Sequence, residues 1–453
     1  MKGLGDDMER KIETLKELYE RAQRVLVKGV SASSRFNPTL GYPLYITSGN
    51  GSKIYDIEGR EYIDYNLSHG ATFLGYNHPR FREAFVKAIE MGLLCGYETE
   101  YHYKLANLIV ESIPCAEKVR FATSGSEANS VALRISRKFT GKKKYLKFQG
   151  HFHGLHDYFV YNTHSLFTEL NTEGVITLSV ESEGIPQEIS GLVEVIPWQN
   201  LDILEKVLKS KGREIAAIIM EPINYNSGCF IATKSYMEGV RELCTAYNIV
   251  LIYDEVLSGF RTGVGCAQEY YGVKPDLCTL AKAVANGAPL AVIAGKAELM
   301  EQLTPIGKVV HSGTYAGHLF PVLAGIASIE EFRKSGFYDN IYCIADKLYQ
   351  GLQSLFDRHS FPARVKGIGA RFGIHFGVKQ DITRYEEVAG SFDSKLASQF
   401  YYACFERGIY FHNYGTLVKA GHHGFSASHS ENDIDLTLQR IDDVLKRVKF
   451  KVS

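Results

Sequence analysis

The chain has 453 residues, 45% of them hydrophobic and 23% charged, an ordinary globular composition long enough for two or three structural units. Its 51 basic residues balance 51 acidic ones, so no basic face marks a nucleic-acid partner. No apolar run approaches membrane-spanning length, and the eight cysteines are scattered without a Cys-x-x-Cys pair, so the expectation is a cytoplasmic protein with reduced thiols and no membrane contact.

Met1 to Lys28 is mixed in charge, with apolar residues at Ile12, Leu15, Tyr19, Ala22 and Leu26. That spacing predicts a helix and lacks the apolar core of a signal peptide. A loop of small residues, Gly29 to Pro38, then carries a single arginine, Arg35. Tyr45–Thr47, Gly51–Asp56 and Tyr62–Tyr65 read as short strands joined by glycine turns.

From about Leu105 the pattern becomes strand, loop, helix, repeated. Lys118–Phe121 predicts a strand, followed by Ser124, Gly125 and Ser126 and a helix through Val131, Leu133 and Ile135 towards a Gly141 C-cap. Small residues at a helix N-terminus leave backbone N–H groups open to an anion, and the helix dipole adds to the attraction. The same residues also read as a plain serine N-cap with Glu127 in the first turn. The next strand, Tyr145–Phe148, feeds Gln149-Gly-His-Phe152-His153-Gly154. His151, His153, His156 and His164 lie close in sequence, but no carboxylate or cysteine set completes a zinc spacing, so no metal is assigned. Leu155 to Ser190 is irregular and long for a connection, as lids and disordered segments are. Leu192–Ile196 and Ile215–Met220 resume the sheet, the second ending on Glu221-Pro222 with Asn226 just beyond.

Ile249–Tyr253 is an unbroken apolar run, the mark of a parallel strand buried on both faces, and it ends on Asp254 and Glu255. A second short run, Leu277–Leu280, ends close to Lys282. In an open α/β sheet both residues then lie at the carboxyl edge, where such sheets bind ligands. A buried acid and a buried lysine there suit a Schiff base with pyridoxal 5′-phosphate, the acid facing the pyridinium nitrogen. Pro289–Ala294 reads as a further strand, and Pro321 opens a long helical stretch. Ala363–Phe376 and Gly408–Phe425 alternate as strands between helices, Gly367-Ile-Gly369 is a turn signal, and Ser430–Asp433 starts the last helix as a capping box.

The order Asp254-Glu-Val-x-x-Gly-Phe, then Asp276-Leu and Ala281-Lys282-x-x-x-Asn286-Gly287, resembles the cofactor-lysine signature of the class III aminotransferases. Leu74 to Pro79 and the loop around Arg35 are similar to the aminomutase members of that family. The resemblance spans nearly the whole chain. It implies an α/β protein of PLP-dependent transferase fold type I, the aspartate-aminotransferase type. That fold has a large, mostly parallel sheet domain (70–320) and a small α+β domain built from 1–69 and 321–453. It further implies a homodimer in which Lys282 holds the cofactor and then serves as general acid and base, with Asp254 at the ring nitrogen. Ser124, Gly125 and Ser126 would hold the phosphate, Phe152 and His153 the ring, and Asn226 its hydroxyl. Thr314, in His311-Ser-Gly-Thr314, would reach the partner's phosphate. Arg35 would clamp a substrate carboxylate, the chemistry a planar guanidinium suits, with His69 beside the substrate.

Two residues and one segment depart from the family pattern. Phe152 stands where a tyrosine is common, keeping the stacking face and losing a hydroxyl. His69 replaces a tryptophan. The segment Tyr410–Gly424 is longer than in the aminomutase and carries no carboxylate. The expectation is therefore transfer of an amino group from a carboxylate-bearing amine to an oxo acceptor. Intramolecular transfer, as in glutamate-1-semialdehyde 2,1-aminomutase, and racemase or epimerase chemistry are the alternatives within the family. A catalytically silent binding protein has no chemical need for the Asp254–Lys282 pair.

Overall fold

The computed structural model describes residues 14–166 and 170–451. The first helix, Leu15–Ala22, opens on a Thr14–Glu17 capping box and carries Leu15, Tyr19 and Ala22 of the expected stripe, while Ile12 lies outside the described residues. It stops short of Leu26, which is exposed, so the stripe does not continue to Lys28.

Three short strands follow: β1 (Ile46–Asn50), β2 (Lys53–Asp56) and β3 (Glu61–Asp64). The central strands are β4 (Lys118–Ala122), β5 (Lys144–Phe148), β6 (Val193–Ile196) and β7 (Ile215–Met220). After a small hairpin of β8 (Ile223–Asn224) and β9 (Phe230–Ile231) come β10 (Val250–Glu255), β11 (Leu277–Leu280) and β12 (Ala291–Gly295). The chain closes with β13 (Ala363–Ile368), β14 (Arg371–Phe376), β15 (Ile409–Tyr410) and β16 (His423–Gly424).

Seven strands form one sheet in the order β4-β12-β11-β10-β7-β5-β6. β12 runs antiparallel to both of its neighbours, and the pairs β11–β10, β10–β7, β7–β5 and β5–β6 are parallel. Every residue of β7, β10 and β11 is buried, because a parallel sheet covered on both faces excludes water from each. Two separate apolar cores, one on each face, supply that cover. The parallel strands β10 and β11 point the same way, so Asp254 and Thr279 pair across them and both strands deliver their ends to one edge.

Two smaller sheets flank this one. β15 pairs in parallel with β3, so strands from both ends of the chain share the sheet β1-β2-β3-β15. β13 and β14 form a hairpin joined by β16, turning at Gly369 with φ +55°. A Cβ at Gly369 would stand 2.0 Å from the Arg261 carbonyl oxygen, so only glycine lets this hairpin press against the loop that follows β10. That contact fixes where Arg371, the first residue of β14, enters the interior. Among the described residues no helix is long and apolar enough to cross a membrane.

Candidate active site

Asp254 ends β10 with 3% of its surface exposed. Its Oδ2 accepts from His153 Nδ1 at 2.8 Å and from Asn129 Nδ2 at 2.7 Å, and its Oδ1 accepts from the Val256 N–H at 3.0 Å. Asn129 is itself oriented: its Nδ2 also donates to the His153 carbonyl at 3.0 Å, and its Oδ1 accepts from the Thr279 hydroxyl at 2.7 Å. Burial holds the His153 ring below its usual pKa, partly offset by Asp254. Glu255 points to the other face, as strand alternation requires. There it accepts from the Ala267 N–H and Gln268 Nε2 at 2.8 and 3.0 Å, and burial pushes its carboxyl up to about 7.

Lys282 begins a 3₁₀ turn directly after β11 and has a left-handed backbone, φ 50°, an uncommon conformation for a residue with a Cβ. Its side chain is half-buried in a cavity of about 190 Å³ that also contains Gly125, Ser126, Asn129, Phe152, His153, Glu221, Asn226 and Asp254 on its walls. Burial, then the Arg371 charge, lowers the Lys282 amine to about 8, against the opposing fields of Asp254 and Glu221.

The far end of this cavity is the N-terminus of the helix Gly125–Thr140. A Cβ on Gly125 would lie 2.7 Å from Val256 Cγ2, and one on Gly154 (φ +101°) 2.2 Å from Ser126 Oγ. The two glycines therefore let the helix start and the following loop close around the cavity. Ser126 Oγ accepts from the Leu155 N–H at 3.1 Å, which leaves its own proton for an anion. Ser124 behaves differently: its Oγ accepts from the Glu127 N–H at 3.2 Å as the N-cap, and it is not among the cavity's walls. The capping reading of these residues thus holds for Ser124, while Gly125 and Ser126 face the cavity. On the opposite wall Glu221 accepts from the Phe152 N–H at 2.7 Å and from Asn226 Nδ2 at 2.9 Å. Burial and the Asp254 charge push the Glu221 carboxyl up to about 7.

A second, outer cavity of about 390 Å³ is lined by Arg35, Asp64, Ser68, His69, Tyr410 and His412, among others. Arg35 is exposed there and its Nη1 donates to Ser31 Oγ. His69 lies in a run of four residues with positive φ, Leu67 (55°), Ser68 (53°), His69 (57°) and Gly70 (85°). A left-handed turn costs roughly 1–2 kcal/mol per non-glycine residue. Asp64 holds it by accepting from the Asn66 and Leu67 N–H groups at 2.8 and 3.0 Å. His69 Nδ1 meets the Tyr414 hydroxyl at 3.3 Å. Burial, then the charges of Lys282, Arg371 and Arg35, lower the ring to about 4, so it is neutral and within the field of all three cations.

Thr314 is exposed and lies away from the Lys282 cavity. Its segment is pinned by His311 Nε2, 2.9 Å from Glu127 Oε1. The other histidines that raised a metal reading have separate tasks: His151 Nδ1 accepts from the Glu221 N–H, His156 stacks on Tyr158, and His164 pairs with Glu181. Asn129, Thr279 and Arg371 were not singled out from the sequence. Asn129 could have been found as a polar residue one turn after Gly125 on a helix face that is otherwise apolar; Thr279 and Arg371 left no comparable signal.

These groups fit pyridoxal phosphate: N–H donors and a hydroxyl at one end, a phenyl ring on a wall, a carboxylate and an amine at the other end. The class III aminotransferase family matches residues 37–445. A glutamate-1-semialdehyde 2,1-aminomutase of Persephonella marina is 36% identical over 97% of this chain and 100% of that protein. An ω-transaminase from Sphaerobacter thermophilus superposes with a TM-score of 0.88 at 27% identity, covering 95% of this chain and 97% of the other. A transaminase with pyridoxal phosphate bound gives 0.83 at 25% identity, covering 95% and 97%. The chain belongs to the class III aminotransferases. It is a pyridoxal-phosphate-dependent enzyme of the aspartate-aminotransferase fold type, acting on small molecules.

The depressed amine has a direct consequence. In the cofactor-free protein Lys282 should react with an amine-acylating reagent at a rate that levels off above pH about 8, about two units before ordinary lysines. Quantitative peptide mapping of the acylated lysines across pH 6–11 reads this; a plateau for Lys282 at the pH of surface lysines would contradict it.

Proposed function

We propose that the enzyme transfers an amino group between two molecules, a carboxylate-bearing amine and an oxo acceptor. The observation that carries this reading is a cavity that holds Lys282 and Asp254 together, with the carboxylate-free segment Tyr410–Gly424 lining the outer cavity through Tyr410 and His412. Bound pyridoxal phosphate supplies an electron sink for the negative charge left when a proton leaves substrate Cα. Lys282 Nζ would hold the cofactor and, once released from it, would serve as the base that takes the substrate's Cα proton and as the acid that gives it back. Asp254, fixed by His153 and Asn129, keeps a proton on the ring nitrogen through its opposite charge. Gly125 and Ser126 bind the phosphate, with Ser124 shaping the helix end. Phe152 would stack on the cofactor ring, His153 orients the acid, and Asn226, held by Glu221, would bind the ring hydroxyl. Arg35 engages the substrate carboxylate, and His69 lines its path.

Asp254→Asn should bind cofactor nearly as well as the wild type and lose at least about 100-fold in kcat, because an amide cannot carry the charge that the ring nitrogen needs. Single-turnover proton abstraction with a deuterated amine measures the step; a near-normal rate would reassign the acid. Borohydride reduction of the wild-type holoenzyme should leave the cofactor on Lys282 alone.

A homodimer with shared sites is part of the same proposal, with 70–320 as the large domain, 1–69 and 321–453 as the small one, and a cytoplasmic location. Ile306, Val310 and Tyr315 expose large apolar surface beside Thr314, as an interface segment does. Chains carrying Lys282→Ala and chains carrying Thr314→Asp should each be inactive as homodimers. In a mixed dimer one site carries both lesions and the other neither, so about half of one site's worth of activity per chain should return. No return after demonstrated chain exchange would sink the shared site.

The 36% identity to an aminomutase over 97% of the chain favours a second reading, intramolecular transfer within one amino aldehyde. Nitrogen-15 from a labelled amine donor separates the two. Label in the oxo acceptor, with ping-pong kinetics, is the expected result. Full turnover of glutamate-1-semialdehyde with no second substrate would establish the mutase.

A further inference from the structure

Arg371 opens β14, and its guanidinium is completely enclosed, at 0% exposure. Nη2 donates to His422 Nδ1, a ring held well below its usual pKa by burial and by Arg371 itself. Nε and Nη1 have no hydrogen-bond partner among the described residues. Arginine is seldom buried without a carboxylate, yet none bonds this one. Asp64, an acid of the outer cavity, spends its oxygens on the Asn66 and Leu67 N–H groups and the Tyr76 hydroxyl, and burial raises its pKa.

Arg261 repeats the pattern. Its Nη2 donates to the Gly70 carbonyl, its Nε to the Leu257 carbonyl at 3.2 Å, and its Nη1 is unpartnered. Both guanidinium groups thus meet at Gly70. A Cβ there would stand 2.7 Å from Arg371 Nη1 and 3.1 Å from Leu257 Cδ1. The Arg371 charge therefore stands behind a left-handed turn that presents His69 to the outer cavity and packs at Gly70 against Leu257 of the Lys282 cavity. Asp254 and Glu221 face Lys282 from the cofactor side and are already occupied by His153, Asn129, Phe152 and Asn226. The charges that lower His69 are those of Lys282, Arg371 and Arg35, and the acid on the same cavity, Asp64, is turned to the Asn66 and Leu67 N–H groups and the Tyr76 hydroxyl.

We propose that Arg371 is a positioning residue for substrate specificity, whose enclosed charge acts across the Gly70 turn to hold a substrate carboxylate between His69 and Lys282. The role differs from the contact assigned to Arg35, which lies exposed at the mouth, and it rests on the reading that the substrate carries a carboxylate. A charge in a low-dielectric wall acts over several ångströms with little screening. It is preorganised, since the turn and the neutral His422 fix it before any ligand arrives.

Glutarate and glutaramide, alike in length and different in charge, are the probes, with binding to the holoenzyme read by calorimetry. The wild type should take up glutarate. Arg371→Gln should weaken glutarate by roughly tenfold or more and leave glutaramide unchanged, while Arg371→Lys should stay within about threefold of wild type. Arg371→Met, matched in size and without charge, should repeat the Gln result, and circular dichroism confirms the fold of each variant. Glutarate affinity unchanged in the neutral variants, glutarate and glutaramide weakened together, or no glutarate uptake by the wild type would overturn the proposal. Borohydride mapping of Lys282 reports separately on the enzyme chemistry, so its failure is distinguishable from failure at Arg371.

Discussion

Burying the Asp254 carboxylate costs several kcal/mol unless hydrogen bonds replace the water it loses. Its three donors come from three places: Asn129 on the helix Gly125–Thr140, His153 on the loop after β5, and the Val256 N–H beyond β10. Thr279 on β11 completes the set by fixing which way the Asn129 amide faces. The acid therefore ties the phosphate end, the ring wall and the lysine strand to one point. None of the three can shift by an ångström without leaving a buried donor or acceptor unpaired.

The sheet makes this possible by direction alone. β10 and β11 run parallel and in register, Asp254 opposite Thr279, so Lys282, three residues beyond Thr279, leaves the sheet at the same edge as the acid. The chemistry then depends on an uneven distribution of charge. Asp254 and Glu221 line the Lys282 cavity, where burial and then the Asp254 charge push Glu221 up to about 7. The Arg371 guanidinium lies behind the turn at Gly70, and burial and then its charge lower Lys282 to about 8. An amine near that value gives up its proton at little cost, which is what a group that both takes and returns protons requires.

The strands and the acid–lysine pair were legible because an apolar run that breaks on a charged residue is a local signal. β7, β10 and β11 lie where the runs placed them, and the turn at Gly369 and the capping box at Ser430 were equally local. Ser124 was half-legible: its residues admit capping and anion binding alike, and only the fold shows its hydroxyl spent on Glu127. Asn129 and Thr279 were invisible for another reason. Their partners are 125 and 150 residues away, and no spacing rule reaches that far. The same holds for Arg371, whose neighbours Gly70 and His422 come from opposite ends of the chain.

The scaffold explains proton movement in any member of its family and does not by itself choose the reaction. That choice falls to the parts of the wall facing away from the sheet, the turn Leu67–Gly70 and the segment Tyr410–Gly424. In this chain both are built from neutral histidines and tyrosines packed edge to face. His69 lies 5.0 Å from His412, and His412 lies 4.7 Å from Tyr414, centre to centre. Burial lowers His69 to about 4 and His412 to about 3, so neither ring carries a proton at neutral pH, and the one amine of the segment, Lys419, donates to the Gly150 carbonyl at 3.0 Å. On the proposed reading, a wall of neutral rings with no carboxylate of its own would leave the oxo product held chiefly through the product's carboxylate. Such a product would depart when that one contact breaks, and the amino group would stay behind for the next oxo acid.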